Sequence, residues 1–302
     1  MGILQNLMWN DSFYIGPTVA ITSTMTFFRL SFGVFIMIVL MVLAGELFFK
    51  DRTVNIHQIT DTLPAPVWLI QVSRFFAMAA VAFICALSFM LIGLIAQVLK
   101  GGLANIDMGL YVYDILGYNW GWLSYVLQIS LVFFIAGITN NRYLTHILSI
   151  GFLFGTIMVF ELGLAEQLRF AYAAVPGLED FSEISGYGIW LFPGRWYFLM
   201  WSLLAGFFIL AGIYFWKRGT ARRLRQKLSL KGQQLNIYAK LTALALLVSF
   251  GFLQSYLYQQ TFGLGNHIPA EQEEVEAADY ENTYKHLQAS VHPKYVQLDM
   301  DI

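Results

Sequence analysis

Ionisable residues inside apolar surroundings are the ones whose types could do chemistry, because charge in hydrocarbon is costly and is kept for pairing or for moving protons and ions. Three qualify: Glu46, one turn from the end of an apolar run, and His146 and Glu161, near the two ends of another. Each is close enough to an interface to snorkel. No acid stands at the middle of a run, which argues against an ion-coupled carrier. The histidines, His57, His146, His267, His286 and His292, form neither HExxH nor a close Cys/His cluster. The single cysteine, Cys85, can build neither an internal disulfide nor a thiolate metal site. No GxxxxGK[ST] phosphate loop and no GxSxG nucleophile elbow occurs. No catalytic, cofactor-binding or metal residue is expected in this chain.

The elements that must position such groups follow from composition. Of 302 residues, 58% are hydrophobic and only 12% charged, about half the charge of a soluble domain, which excludes an ordinary cytosolic enzyme. The formal net charge of −1 gives no basic excess for nucleic acid. Six stretches are long and apolar enough to cross a bilayer as helices: Leu30 to Phe48, Phe75 to Val98, Tyr118 to Thr139, Tyr143 to Leu164, Trp196 to Trp216 and Ile237 to Tyr258. The expected fold is an all-α polytopic membrane bundle of about six transmembrane helices. Phe13 to Phe28 has no charge but many Ser, Thr, Gly and Pro residues, so residues 1–28 read as an outer N-terminal segment.

Lys and Arg set the orientation. Twelve of the 18 fall in one set of connections, Lys50, Arg52, Arg74, Arg142, Lys240 and the seven from Lys217 to Lys231, against three, Lys100, Arg169 and Arg195, in the other. Both termini are therefore expected outside, with the chain in the cytoplasmic (inner) membrane. Trp120, Trp122, Trp190 and Trp196 mark outer ends of spans and Trp68 and Trp216 inner ends, as interfacial anchors. The basic connection 217–236 suits anionic lipid head groups, making membrane lipids expected partners.

Within residues 29–260, two further connections stand out. The inner one, 50–74, can form two or three helical turns before Pro64 and Pro66 stop it, and Ile56, Ile59 and Leu63 give it one apolar face. Such a face needs either the lipid interface or a groove on a cytoplasmic protein. The outer one, 165–195, is rich in turn residues and exposed acids. After the last span, residues 261–302 read as an acidic linker. It leads into Val296, Leu298, Met300 and Ile302 alternating with Gln297, Asp299 and Asp301, a half-buried strand pattern. A lone strand needs neighbours, so the chain is expected to stop at the start of a truncated, β-rich outer domain.

The segment Gly45-Glu46-Leu47-Phe48-Phe49-Lys50-Asp51-Arg52, followed by Ile59, Asp61, Pro64, Pro66, Trp68 and Ser73, resembles the permease components of bacterial ATP-binding-cassette exporters in the subgroup fused to an aminopeptidase-N-like domain. Asn140-Asn141-Arg142-Tyr143-Leu144 with His146, then Ser185-Gly186-Tyr187-Gly188 with Pro193 and Trp196, then Trp216-Lys217-Arg218-Gly219-Thr220, are similar to the second membrane half of such fusions. Tyr280-Glu281-Asn282-Thr283-Tyr284-Lys285 resembles the lead-in to the peptidase domain.

The resemblance implies a permease segment of an ATP-driven exporter. Asp51, Arg52, Ile56, Ile59, Asp61, Pro64, Pro66 and Trp68 would couple it to a separate cytoplasmic ATPase, and Gly186, Tyr187, Gly188 and Trp196 would make outer-loop contacts. The implied partners are that ATPase, which holds the ATP, and a second permease half. The alternative implied role is a membrane anchor for an outer zinc aminopeptidase-like domain. The zinc and its HExxH would belong to that missing domain, so peptidase activity is assigned to no residue of this chain.

Overall fold

The computed structural model describes residues 21–60, 62, 66–100, 102–116, 121–162, 168–176, 186, 188, 191–216, 237–263 and 270–287. Residues 1–257 form one compact unit and residues 258–302 another. Among the described residues the first unit holds the helices α1 (Thr22–Thr53), α2 (His57–Thr60), α3 (Val67–Leu99), α4 (Met108–Leu116), α5 (Trp122–Thr139), α6 (Arg142–Glu161), α7 (Leu191–Phe215) and α8 (Ile237–Tyr258), whose last residue crosses the boundary. Six of these, α1, α3, α5, α6, α7 and α8, are long and apolar enough to cross a membrane. The protein is thus an all-α, multi-pass membrane protein, and no β-strand occurs among the described residues.

Helix boundaries follow local chemistry more than hydropathy. α1 begins at Thr22 rather than Leu30, and α3 begins at Val67 rather than Phe75 because Pro66, at φ −66° and ψ 143°, sits at its N-cap. At 33 residues α3 is about 50 Å long, so its ends emerge from the hydrocarbon core. α1 stops where Asn55 takes a left-handed φ of 58°, its N–H bonded to the Arg52 carbonyl. Among the described residues after that stop the inner connection forms a single helical turn, α2, where two or three turns are expected from the sequence. α5 ends the same way at Asn140, φ 53°, and Asn141 starts α6 by accepting the N–H groups of Tyr143 and Leu144. Two adjacent asparagines thereby turn the chain between two spans.

α5 is the central helix, packed on α1, α3, α6 and α7. One of its sides gives Tyr125, Ile129, Val132, Phe133 and Ala136 to a core shared with Met37, Leu40 and Phe48 of α1 and Phe75 and Met78 of α3. The other gives Leu127 and Leu131 to a core with Tyr197, Met200 and Trp201 of α7. Apolar surface gains little by leaving lipid for protein, so the association of these helices depends on close packing. Gly137 of α5 and Gly212 of α7 supply it: a Cβ on Gly137 would lie 2.7 Å from the Gly212 carbonyl oxygen.

The end of the bundle away from the inner connection is tied by polar bonds. Gln97 of α3 is fully buried, donates to the Asn105 carbonyl at 2.9 Å and accepts the Tyr111 hydroxyl at 3.0 Å. The Asp107 N–H donates to Thr22 Oγ1, so α1, α3 and α4 meet in one network. Burial first, and the Asp114 carboxylate second, push the Tyr111 phenol up to about 12. The 168–176 connection is pinned by the Tyr172 hydroxyl, which donates to the Leu127 carbonyl at 2.7 Å, and by Trp201 Nε1, which donates to the Ala174 carbonyl at 2.8 Å.

In the second unit the acidic linker contains a helix, α9 (Ala270–Tyr284), whose described side chains are solvent-exposed and whose Tyr280 and Tyr284 rings touch one turn apart. The alternating segment Val296 to Ile302 lies outside the described residues, as do most of residues 1–28 and the basic connection 217–236.

Candidate functional site

The Lys and Arg of the described inner connections collect at one end of the bundle, called here the basic end. α1 brings Glu46, Asp51 and Arg52, α3 brings Gln71 and Arg74, the asparagine turn brings Asn140 and Arg142, α6 brings His146, and the residue after α7 is Trp216. These residues interlock in three groups. Arg74 pairs with the Asp51 carboxylate and donates to the Phe48 carbonyl at 3.1 Å, fastening α3 to the last turn of α1. Arg52 donates to the Asn140 side-chain oxygen, and its guanidinium lies 4.2 Å from the centroid of the Trp216 ring. Glu46 Oε1 accepts Arg142 Nε at 2.6 Å and lies 3.0 Å from His146 Nε2. One carboxylate oxygen thus holds both ends of the first turn of α6.

Glu46 and Arg142 remain about a third exposed, so their pairing contributes little as an isolated ion pair, about 1 kcal/mol or less. Its role is geometric: all three groups tie another part of the bundle to the basic end of α1. Sequence reasoning finds Glu46 and His146 only as separate interfacial groups. Both lie within about a turn of the same end of neighbouring spans, and that register is the signal that pairs them.

Trp216 departs from its expected place as an interfacial anchor. It is 6% exposed, with the Phe48 ring perpendicular to its own at a centroid separation of 4.4 Å and the Arg52 guanidinium over its ring. An indole beside a positively charged last turn of α1 is a better cation partner than a lipid anchor. Trp68, by contrast, is 55% exposed.

The residues expected to couple to an ATPase separate into two sets. Asp51 and Arg52 turn inward onto Arg74, Asn140 and Trp216 and brace the bundle. Ile56, Ile59 and Trp68 turn outward, 49%, 68% and 55% exposed, with Val54 beside them. Pro66 caps α3, and Asp61 and Pro64 lie outside the described residues. An exposed apolar cluster therefore sits directly upon a rigid ionic base.

Beneath α2 the same residues enclose a small pocket lined by Asp51, Arg52, His57, Gln71, Arg74 and Trp216, with room for a water molecule. Gln71 is 1% exposed, and neither its Oε1 nor His57 Nδ1 has a hydrogen-bond partner among the described residues. Phe48 and Arg74 also wall a second, apolar slot lined by Ala44, Leu47, Met78 and Ile129.

Of the outer-loop residues, Gly186 and Gly188 adopt positive φ values of 62° and 51°, a backbone that glycine tolerates without strain. Trp196 packs between Phe192 of α7 and Tyr256 of α8, so it stitches helices together at that end. Tyr187 lies outside the described residues. No group of three or more His, Cys, Asp or Glu side chains that could hold a metal ion occurs among the described residues. Comparisons with family models, curated proteins and solved structures give no match for this chain.

Proposed function

We propose that this chain is a permease segment of an ATP-driven transporter, an exporter by its resemblance, whose ATP is hydrolysed by a separate cytoplasmic subunit seated on the α2 connection. The observation that carries this reading is the exposed apolar cluster of Val54, Ile56, Ile59 and Trp68, of which Ile59 stands on α2 and the others flank it between and at the ends of two spans. A soluble, water-facing turn has no reason to present such side chains, whereas a turn that plugs into a partner's groove does. The bracing beneath it supports a mechanical role. A push on α2 passes to α1 through the chain, to α3 through Asp51–Arg74 and to the α5–α6 turn through Arg52–Asn140. Force delivered at one turn thus reaches four spans without an ion or proton passing through the bundle.

The basic end is the cytoplasmic face in this reading, in keeping with the excess of Lys and Arg there. The outer face is the end of Gly186 and Trp196. The reading is tested by replacing Ile56 and Ile59 together with Asp. Both side chains are exposed, so the bundle is expected to fold and melt as before while the purified permease loses its ATPase subunit. Retention of that subunit at wild-type stoichiometry overturns the reading.

A further inference from the structure

α2 carries Ile59, the most exposed member of the apolar cluster, yet among the described residues no hydrogen bond of α2 reaches another helix. Its N–H groups bond within the connection, those of Ile59 and Thr60 to the Ile56 carbonyl at 2.9 and 3.0 Å. The ion pairs of the basic end pass it by, since they fasten α1 to α3 and to the asparagine turn. What α2 does share with the bundle is the pocket beneath it, into whose wall it sends His57 and α3 sends Gln71.

These two side chains are matched in an unusual way. Gln71 breaks the apolar run Val67-Trp68-Leu69-Ile70 and is 1% exposed, with no donor to its Oε1 among the described residues. His57 Nδ1 is likewise closed off from solvent and without a partner there. A direct hydrogen bond would satisfy both atoms, so the two stand farther apart than one such bond spans. Buried polar atoms are nearly always satisfied. An amide oxygen can only accept, and Nδ1 accepts when the imidazole carries its proton on Nε2. Two acceptors on one space call for a molecule with two donors, and the space has room for one water.

We infer that a single water molecule bridges α2 and α3, donating one O–H to Gln71 Oε1 and the other to His57 Nδ1. A bridge of this kind is nearly as favourable as a direct hydrogen bond. It gives α2 a polar tie to a span beyond the chain itself, and so fixes how the turn that bears Ile59 sits on the bundle. Gln71 and His57 are positioning residues for that turn.

The test pairs a crystal structure of the full chain, grown in a lipidic mesophase at a resolution that shows ordered water, with hydrogen–deuterium exchange in lipid nanodiscs. One water is expected within hydrogen-bond distance of both atoms. A direct His57–Gln71 bond, a dry space, or another group of the chain on Gln71 Oε1 overturns the inference. Gln71→Leu, which keeps the volume and removes the acceptor, is expected to speed exchange at Ile59 and Thr60 about fivefold, with the melting temperature unchanged or raised. His57→Ala, on a turn outside the core, is expected to act in the same direction, and the double variant to exchange no faster than the faster single one, because both remove one bridge. Wild-type exchange in both single variants, or effects that multiply in the double variant, also overturns it. All of this is read on the permease alone, so the bridge can fail while docking through Ile56 and Ile59 stands, and the reverse.

Discussion

A methyl group built on Gly45 would lie 2.5 Å from Cε1 of His146, so the absence of a side chain on α1 is what allows the imidazole of α6 to reach Glu46. The contact decides how close two spans stand at the basic end. It also explains why the Glu46–Arg142–His146 group forms although none of its members is deeply buried.

Gly45→Ala is therefore expected to displace His146 from Glu46 and to destabilise the bundle by about 1–2 kcal/mol, the usual range for an overpacked contact. Denaturation in mixed micelles measures it. In the His146→Ala background the same Gly45→Ala change is expected to cost much less, since the clashing ring is gone. Equal costs in the two backgrounds would show that Gly45 is constrained by something else.

Gly137 and Gly212 make the corresponding contact between α5 and α7, where the clash would be with backbone and so cannot be relieved by a rotamer change. Gly137→Ala is expected to cost about 2–3 kcal/mol. Gly251→Ala, in α8 where an added Cβ meets nothing within 4 Å, is expected to be neutral or stabilising by up to about 1 kcal/mol through helix propensity. The pair of variants, melted side by side, separates a packing constraint from a general intolerance of change in the spans.

Tyr111 gives a pH prediction outside the spans. An exposed tyrosine in the unfolded chain loses its proton near 10, while in the folded chain the Tyr111 phenol is held up to about 12. Between those values the unfolded state binds fewer protons than the folded state, so stability falls as pH rises through that window and is insensitive to Tyr111 below it. Melting temperatures from pH 9 to 12 should therefore drop more steeply in the wild type than in Tyr111→Phe. The variant starts lower because Gln97 loses a donor, and parallel curves would contradict the assignment.

How much of this was legible in the sequence differs by level. The six spans were readable because twenty or so apolar residues leave few alternatives in lipid. Their limits were not, since hydropathy is blind to the left-handed asparagines at 55 and 140 and to the capping role of Pro66. α4, between the second and third spans, was hidden because its nine residues are too few to stand out from the surrounding apolar sequence. At the candidate site, the apolar character of Ile56 and Ile59 was legible and their exposure follows from the short α2. The inward turn of Asp51 and Arg52 was not, because their partners Arg74, Asn140 and Trp216 are distant in the chain. The burial of Trp216 escaped for the same reason: an aromatic residue at a span end reads as a lipid anchor until a cation is found over its ring.

A photo-crosslinking amino acid at Ile59 tests whether α2 docks a nucleotide-hydrolysing protein. The substituted full chain is irradiated in its own membranes, the adduct is identified by mass spectrometry, and the isolated complex is assayed for ATP hydrolysis. The predicted result is an adduct with a protein that carries a GxxxxGK[ST] phosphate loop and hydrolyses ATP in the complex. An adduct of lipid alone, or of a protein without nucleotide hydrolysis, would contradict the claim.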